Sequence, residues 1–395
     1  MRLYPLFVFL VFCACNQSPR SSFPHIHLNI AIDSIPVEDK KGCSIQFQEE
    51  ETDIQMSVGI EYRGSASRKF PKRSYSIHLR NKGKKIRSWN GLTLQGNWVL
   101  YGPYADRTCI RNALAQALFQ KMGHYSPKSL FTELTIDTAY MGLYEWREKI
   151  DLSAGRVPQA THILKIDKPT AKIRPQWPSI LNPLVFIRFH DSLPGHSINA
   201  AFLAVERFEQ SLLKKTNEWE QLVDKRSFID YFLFSEWANS PDAYRSSCYF
   251  QVLSDGKLRM GPLWDFDLAF GNSILFQAQG WGKWRFRIND ADSLKNLAAP
   301  SWWTLMFDQT DFKRELRVRW RELRGELFTD SALSKQVDEL VAGIRPVALK
   351  NQDKWKVMER KIQWTLPPEK SYDEEVNRLK RWMFQRAAWM DGGLK

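Results

Sequence analysis

Hydrophobic and polar residues alternate along the first part of the chain in a pattern that predicts β-strands. Apolar side chains recur at every second position, as in strands with one buried face. Four segments show this alternation: residues 26–32, 44–47, 56–62 and 74–79. Residues 130–136 and 140–146 repeat it on either side of a short turn and predict a hairpin. We therefore expect an antiparallel sheet in this region.

The spacing of apolar residues predicts helices over most of the second half. A first helix, over residues 106–122, starts at the capping residue Asp106 and places Ile110, Leu114 and Leu118 on one face. Further helices are expected over residues 198–215, 227–237, 302–307, 311–328, 332–344 and 371–391. Residues 163–166 predict a strand, and the proline-bearing stretch 168–194 predicts a loop. The pattern indicates an α+β protein, β-rich over residues 25–167 and helical over residues 168–395.

Three aspartates near the middle of the chain are candidates for chemistry. Pro241 ends an apolar helix, because proline disfavours helix in the residue before it, so Asp242 begins a loop. A hairpin over residues 249–260 follows and can fold Asp242 back toward Asp265 and Asp267. Carboxylates brought together repel, so they raise a pKa or share a hard cation such as Mg²⁺.

Acids at turns are commonly solvated or capping groups, so the surroundings of Asp265 and Asp267 matter. The neighbouring residues are apolar: Trp264, Phe266, Leu268 and Phe270. A carboxylate among such side chains is costly unless it is paired, protonated or bound to a metal. The apolar setting therefore favours a metal site.

Composition excludes disorder for most of the chain, which has 395 residues, of which 43% are hydrophobic. The net charge of +13 could suit nucleic acid, acidic glycans or an anionic membrane. No helix-turn-helix, zinc-finger or RNA-binding signature accompanies the basic residues, so we do not expect a nucleic-acid partner.

The first residues are typical of an export signal. Residues 1–14 contain an apolar run too short to span a membrane, and Phe12-Cys-Ala-Cys15 resembles a bacterial lipobox. We expect Cys15 to carry the lipid that anchors the protein to a membrane of the cell envelope, outer membrane or cell surface, with residues 15–24 as tether. An ordinary signal peptide is the alternative. The three remaining cysteines, Cys43, Cys109 and Cys248, are expected to be buried thiols, with one disulfide possible.

The order of several motifs resembles the CotH (spore coat protein H) kinase family. The strongest match is Asp242-Ala-Tyr-Arg followed by Gly261-Pro-Leu-Trp-Asp-Phe-Asp-Leu-Ala-Phe-Gly-Asn272. Weaker matches are Tyr62-Arg-Gly-Ser65, Phe70-Pro-Lys-Arg-Ser-Tyr75, Arg111-Asn112, Gly142-Leu-Tyr144 and Glu148-Lys-Ile150. The similarity covers about residues 60–391. It implies a divergent two-lobed protein-kinase-like fold that uses ATP and Mg²⁺ to phosphorylate serine or threonine of a secreted or envelope protein.

The resemblance also implies roles for individual residues. Asp242 would act on the acceptor hydroxyl, Asp265 would bind Mg²⁺, and Asp267 would be a second or outer ligand. Ser247 occupies the position of a metal-binding asparagine and is a weaker ligand.

For the phosphates, the resemblance implies Lys72 as the main contact, with Glu148 as its acidic partner. A Gly-x-Gly-x-x-Gly loop is absent from the sequence, so Arg63 and Ser65 would supply further phosphate contacts.

Two other functions use the same residues. Asp265-Phe-Asp267 matches the D-x-D metal site of a glycosyltransferase, but those enzymes usually place parallel βαβ units before the motif, and the strands expected here are antiparallel. The second alternative is an inactive pseudokinase that serves as a surface scaffold, because ATP is scarce outside the cell.

Overall fold

A closed barrel forms the N-terminal part of the chain. The computed structural model describes residues 23–48, 53–65, 67–80, 85–169, 175–290 and 298–394. The first nine strands are β1 (His25–Asn29), β2 (Lys41–Phe47), β3 (Ile54–Arg63), β4 (Ser74–Leu79), β5 (Arg87–Trp89), β6 (Leu92–Leu94), β7 (Asn97–Tyr101), β8 (Ser129–Ile136) and β9 (Ala139–Glu148). The barrel runs β1-β2-β3-β4-β7-β9-β8, and β5 and β6 form a separate hairpin.

One pairing in the barrel differs from the expected antiparallel sheet. β1 pairs with β8 in parallel, with Ile26 opposite Leu134, and this pairing closes the barrel. All other neighbours in the barrel are antiparallel. The interior is filled by the apolar faces of the strands, with the rings of Trp98 and Trp146 stacked at 4.8 Å between centroids.

A second sheet follows the barrel in sequence. It contains β10 (Ala160–Asp167), β11 (Gln176–Pro178), β12 (Phe186–Ser192), β13 (Cys248–Leu253) and β14 (Leu258–Met260), in the order β11-β12-β10-β13-β14. The hairpin expected over residues 249–260 is confirmed as β13 and β14. The loop expected over residues 168–194 is wrong in part, because β11 and β12 lie within it. Prolines interrupt the strand pattern there, but β12 pairs along β10 and buries Ile187.

The helices lie mainly in the second half, as expected. They are α1 (Arg111–Lys121), α2 (Ile198–Leu213), α3 (Lys225–Ala238), α4 (Trp302–Phe307), α5 (Thr310–Gly325), α6 (Asp330–Trp355) and α7 (Tyr372–Gly393). Helix α6 continues past the expected end at residue 344 and contains Pro346. Its last turns pack against β9, and this contact outweighs the backbone hydrogen bond that proline cannot make. The structure is thus mixed α+β, with a β-rich N-terminal region and a helical C-terminal region.

The cysteines of the described residues are not joined by disulfides. Cys43, Cys109 and Cys248 are free thiols, the last two buried, so no disulfide joins them. In the part of the chain that the structure describes, no helix is long and apolar enough to cross a membrane. The expected signal segment and Cys15 lie outside the described residues.

Candidate active site

A cavity of about 590 Å³ lies where the barrel, the second sheet and the segment after β14 meet. Its volume is typical of a site for a small molecule or cofactor. Six residues that the sequence singled out line this cavity: Arg63, Ser65, Asp242, Ser247, Asp265 and Asp267. The structure therefore brings together side chains from three distant parts of the sequence.

The segment carrying Asp265 and Asp267 is fixed by two asparagines. Asn112, in the first turn of α1, accepts a hydrogen bond from the Phe266 amide at 2.7 Å. Asn272 donates to the carbonyl oxygens of Asp267 and Ala105, at 2.7 and 3.0 Å. Both asparagines are buried, so their hydrogen bonds are shielded from water. Helix α1 therefore positions the acidic segment.

Local backbone conformation exposes the Asp265 carboxylate to the cavity. Trp264 and Phe266 are each only 6% exposed, and they hold the segment by packing on both sides of Asp265. Asp265 itself has a φ of 59°, a left-handed conformation that costs energy in most residues other than glycine. The Ser247 hydroxyl donates to its carboxylate at 3.0 Å. Strain of this kind is often found at functional sites.

Asp242 reaches the cavity from the end of α3. Asn239 ends this helix with a φ of 46°, and the loop after Pro241 carries Asp242, whose side chain is 39% exposed. Arg245 lies 3.8 Å from the Asp242 carboxylate and donates to the Pro241 carbonyl at 2.8 Å. The loop is therefore held by contacts of its own and presents one partly exposed carboxylate.

Burial and repulsion raise the pKa of two carboxyl groups in this cavity, those of Asp267 and Asp242. Burial raises the pKa of Asp267 to about 7, with further increases from the charges of Asp265, Asp106 and Asp242. The pKa of Asp242 is also raised, first by burial and then by Asp265, while Arg245 opposes the shift. A cation bound between these groups would relieve the repulsion.

The sequence did not single out an acidic and a basic residue that line the same cavity. Asp167, at the end of β10, accepts from Lys165 at 2.5 Å and lies 3.5 Å from Arg188 of β12. The signal for Asp167 was its place directly after the expected strand at residues 163–166. Arg188 lies in a stretch expected to be a loop, and the sequence alone does not predict that β12 pairs with β10.

Two arginines flank the Trp264 ring. The guanidinium carbon of Arg147 lies 4.1 Å from the ring centroid, and that of Arg63 lies 5.2 Å away. Arg147 is completely buried, and Glu145 at 3.9 Å is its nearest acidic partner among the described residues. Cation–π contacts of this kind stabilise the ring beside Asp265.

Lys72 and Glu148 are not brought together. Lys72 is buried and donates to the carbonyl of Leu143 and to the side-chain oxygen of Asn351 in α6. Glu148 instead pairs with Arg156 at 3.4 Å. The expected ion pair is therefore wrong, and neither residue is among those lining the cavity. Burial lowers the pKa of Lys72 to about 7.

The amino-acid sequence matches a known protein family. The family described as CotH kinase protein matches residues 60–390, nearly the whole chain. The chain belongs to the CotH kinase family. This membership confirms the resemblance carried by the motifs around Asp242 and Asp265 and supports a kinase-like function. No match is found among curated proteins. The matched region of this CotH kinase family member includes every residue that lines the cavity.

Proposed function

We propose that this protein transfers the γ-phosphoryl group of ATP, with Mg²⁺, to a serine or threonine hydroxyl of a protein. The observation that carries the proposal is the convergence of Asp242, Asp265 and Asp267 on one cavity that Arg63 and Lys165 also line. Carboxylates can bind the metal ion of a metal–nucleotide complex, and the cationic side chains beside them can bind its phosphates. Family membership supports the same reaction class. A divergent two-lobed kinase-like arrangement, with the barrel as one part and the helical region as the other, belongs to this proposal.

The residues present fit a magnesium ion that is shared with a nucleotide. Among the described residues, no group of three or more His, Cys, Asp or Glu side chains could hold a metal by itself. Mg²⁺ is commonly bound by one or two carboxylates together with phosphate oxygens. Asp265 would be the principal ligand and Asp267 the second, and the Ser247 hydroxyl already contacts Asp265. When bound, Mg²⁺ supplies positive charge that stabilises the phosphates during transfer.

The protein residues would position the two reactants. Arg63 ends β3 of the barrel, Ser65 follows it, and both would contact phosphate oxygens together with Lys165 of β10. Asp242 would accept the proton of the acceptor hydroxyl as its oxygen bonds to the γ-phosphorus and ADP leaves. A raised pKa brings this carboxyl closer to the operating pH, which suits a general base.

A second candidate function is an inactive scaffold. The position of Lys72 favours it, because the cation expected at the nucleotide is bound to Asn351 and to the Leu143 carbonyl instead. An inactive protein would bind a ligand in the cavity without transferring a phosphoryl group, or would bind nothing there. The D-x-D glycosyltransferase gains no support, since the kinase family match includes that motif.

Calorimetry and transfer assays test the proposal separately. Asp265→Asn should abolish Mg²⁺-dependent ATP binding, because the neutral amide loses the charge that holds the cation. Asp242→Asn should keep ATP binding but reduce transfer about 10²- to 10⁴-fold, as expected for loss of a positioned base. Val318→Ala, on the exposed face of α5, is the control for both. Absence of ATP binding in the unaltered protein would favour the scaffold.

We further propose that the protein is exported and anchored to a bacterial envelope membrane through a lipid on Cys15. The support is the lipobox-like Phe12-Cys-Ala-Cys15 after a short apolar run. Acceptors would then be secreted or envelope proteins.

A further inference from the structure

A surface loop over residues 274–287 follows the segment that carries Asp265 and Asp267, and buried side chains donate hydrogen bonds to its backbone. Asn239 donates to the carbonyls of Ala278 and Gly280, at 3.2 and 2.8 Å. Arg386 of α7 donates to the carbonyls of Trp281 and Lys283, at 2.6 and 2.7 Å. Both donors are buried. The loop backbone is therefore fixed, although the loop lies at the surface.

The exposed side chains of this loop are apolar, basic or neutral amides, and the amides are Gln277 and Gln279. Ile274 is 49% exposed and Trp281 44% exposed, and Lys283 and Arg287 are also exposed. No acidic residue occurs from residue 273 to residue 289. Exposed tryptophan and arginine beside a rigid backbone are characteristic of surfaces that bind polypeptides.

The loop is continuous with the proposed catalytic carboxylate. Arg245 lies between them, 3.8 Å from the Asp242 carboxylate and 3.9 Å from the Phe276 ring centroid. Asn239, which holds the loop backbone, lies three residues before Asp242 in the same chain segment. The loop therefore packs, through the buried Arg245, against the segment that carries Asp242.

We propose that the 274–287 loop is the docking surface for the acceptor, and that the acceptor is an acidic polypeptide segment with an apolar residue near its phosphorylated hydroxyl. This inference rests on the phosphoryl transfer proposed above. Lys283 and Arg287 would attract acidic side chains, and Trp281 would pack against the apolar one. A basic segment would meet like charge on the loop and lose affinity. An anionic membrane would suit the same side chains, but contact through Arg245 with the Asp242 loop favours a polypeptide.

Peptide specificity tests this surface. Three serine peptides that differ only in flanking glutamate, glutamine or lysine are assayed with the full chain, ATP and Mg²⁺. The glutamate peptide would form two exposed charge pairs, with Lys283 and Arg287, and its kcat/KM should therefore be the highest. Two such pairs correspond to about a 2- to 30-fold preference over the glutamine peptide. Lys283→Glu combined with Arg287→Glu should remove or reverse the preference through KM, and Trp281→Ala should raise KM for all three. The KM for ATP should not change. Lys335→Glu, 79% exposed on α6, and Val318→Ala are the matched controls.

Direct binding separates failure of this inference from failure of the proposed function. Anisotropy of the labelled glutamate peptide, measured without nucleotide, should show binding that Trp281→Ala and the double variant weaken. If ATP is bound and transferred but neither variant alters peptide affinity or preference, the docking surface is wrong and the proposed function stands. If ATP is neither bound nor transferred but peptide binding depends on the loop, the surface stands and the kinase proposal fails. Loop-dependent binding to anionic vesicles, with no effect on peptides, would overturn the acceptor assignment.

Discussion

Replacing Asp267 by asparagine should stabilise the metal-free protein increasingly as the pH rises. The native pKa of Asp267 is raised from the ordinary 3.8 to about 7, so the folded protein retains a proton that the unfolded chain releases. Because the unfolded state binds fewer protons between these two values, stability decreases as the pH rises through this window. Above pH 7 the loss is complete, and asparagine avoids it because it does not ionise.

The size of the effect follows from the pKa. Each pKa unit corresponds to about 1.4 kcal/mol, so the interval from 3.8 to about 7 is worth roughly 4 kcal/mol as an upper value. Between pH 5 and pH 8 the advantage of Asp267→Asn should grow by about 2 to 3 kcal/mol. For a chain of this size that corresponds to roughly 2 to 4 °C in melting temperature.

Thermal unfolding with EDTA at pH 5 and pH 8 measures this difference. Asp255→Asn, which changes an exposed carboxylate in the turn between β13 and β14, is the control. Adding Mg²⁺ and ATP should stabilise the unaltered protein at pH 8 but have less effect on Asp267→Asn. A variant no more stable than the unaltered protein at pH 8, or one whose advantage does not depend on pH, would refute the reasoning.

Substitutions at Asn112, Lys72 and Cys15 test three further parts of the account. Asn112→Ala leaves the buried Phe266 amide without its acceptor, at a cost of about 1 to 3 kcal/mol, and should weaken Mg²⁺-dependent ATP binding measured by calorimetry. An equal loss in the control Gln116→Ala, a buried amide one turn along α1, would contradict a positioning role for Asn112. Lys72→Met should change ATP affinity by less than about threefold, since Lys72 contacts Asn351 and does not line the cavity. A much larger loss of affinity would show that Lys72 contacts the nucleotide. Because its folded pKa is lowered to about 7, Lys72 should also make the unaltered protein less stable as the pH falls from about 10 towards 7, a dependence absent in the variant. Cys15→Ser should move the full chain from the membrane fraction to the soluble fraction in cell fractionation, and unchanged membrane association would exclude the lipid anchor.

The parts of the fold that depend on local pattern were predictable from sequence. Six strands of the barrel, the hairpin at residues 249–260 and most helices follow from periodicity, which neighbouring residues determine. The remaining barrel strand, β7, was not predicted. The parallel pairing of β1 with β8 was not predictable, because alternation shows which face is buried and not which strand lies alongside. Helix α6 passes Pro346 for a similar reason, since its packing against β9 is a tertiary contact.

Some residues of the candidate site could be predicted from the sequence and others could not, for the same reason. Asp242, Asp265 and Asp267 could be found because a hairpin between them limits how far apart they can lie, and the apolar residues around Asp265 mark its setting. Lys72 could not be placed, since its partner Asn351 lies 279 residues further along the chain. The pairing of β12 with β10 brings Arg188 to the cavity. This pairing is hard to predict, because the prolines of residues 168–194 interrupt the strand pattern.

Closure of the barrel by β1 and β8 has a consequence for the order of folding. Ile26 lies opposite Leu134, so the first strand cannot acquire its second neighbour until more than a hundred residues have been synthesised. Until then one edge of β1 is unpaired and open to other chains. Contacts so distant in sequence form slowly, because a long loop must be closed first. We therefore expect the amides that pair β1 with β8 to gain protection together and late in pulsed hydrogen exchange during refolding, after the amides paired within the β2–β3 and β8–β9 hairpins. Early protection of β1 along its β8 edge would contradict this order.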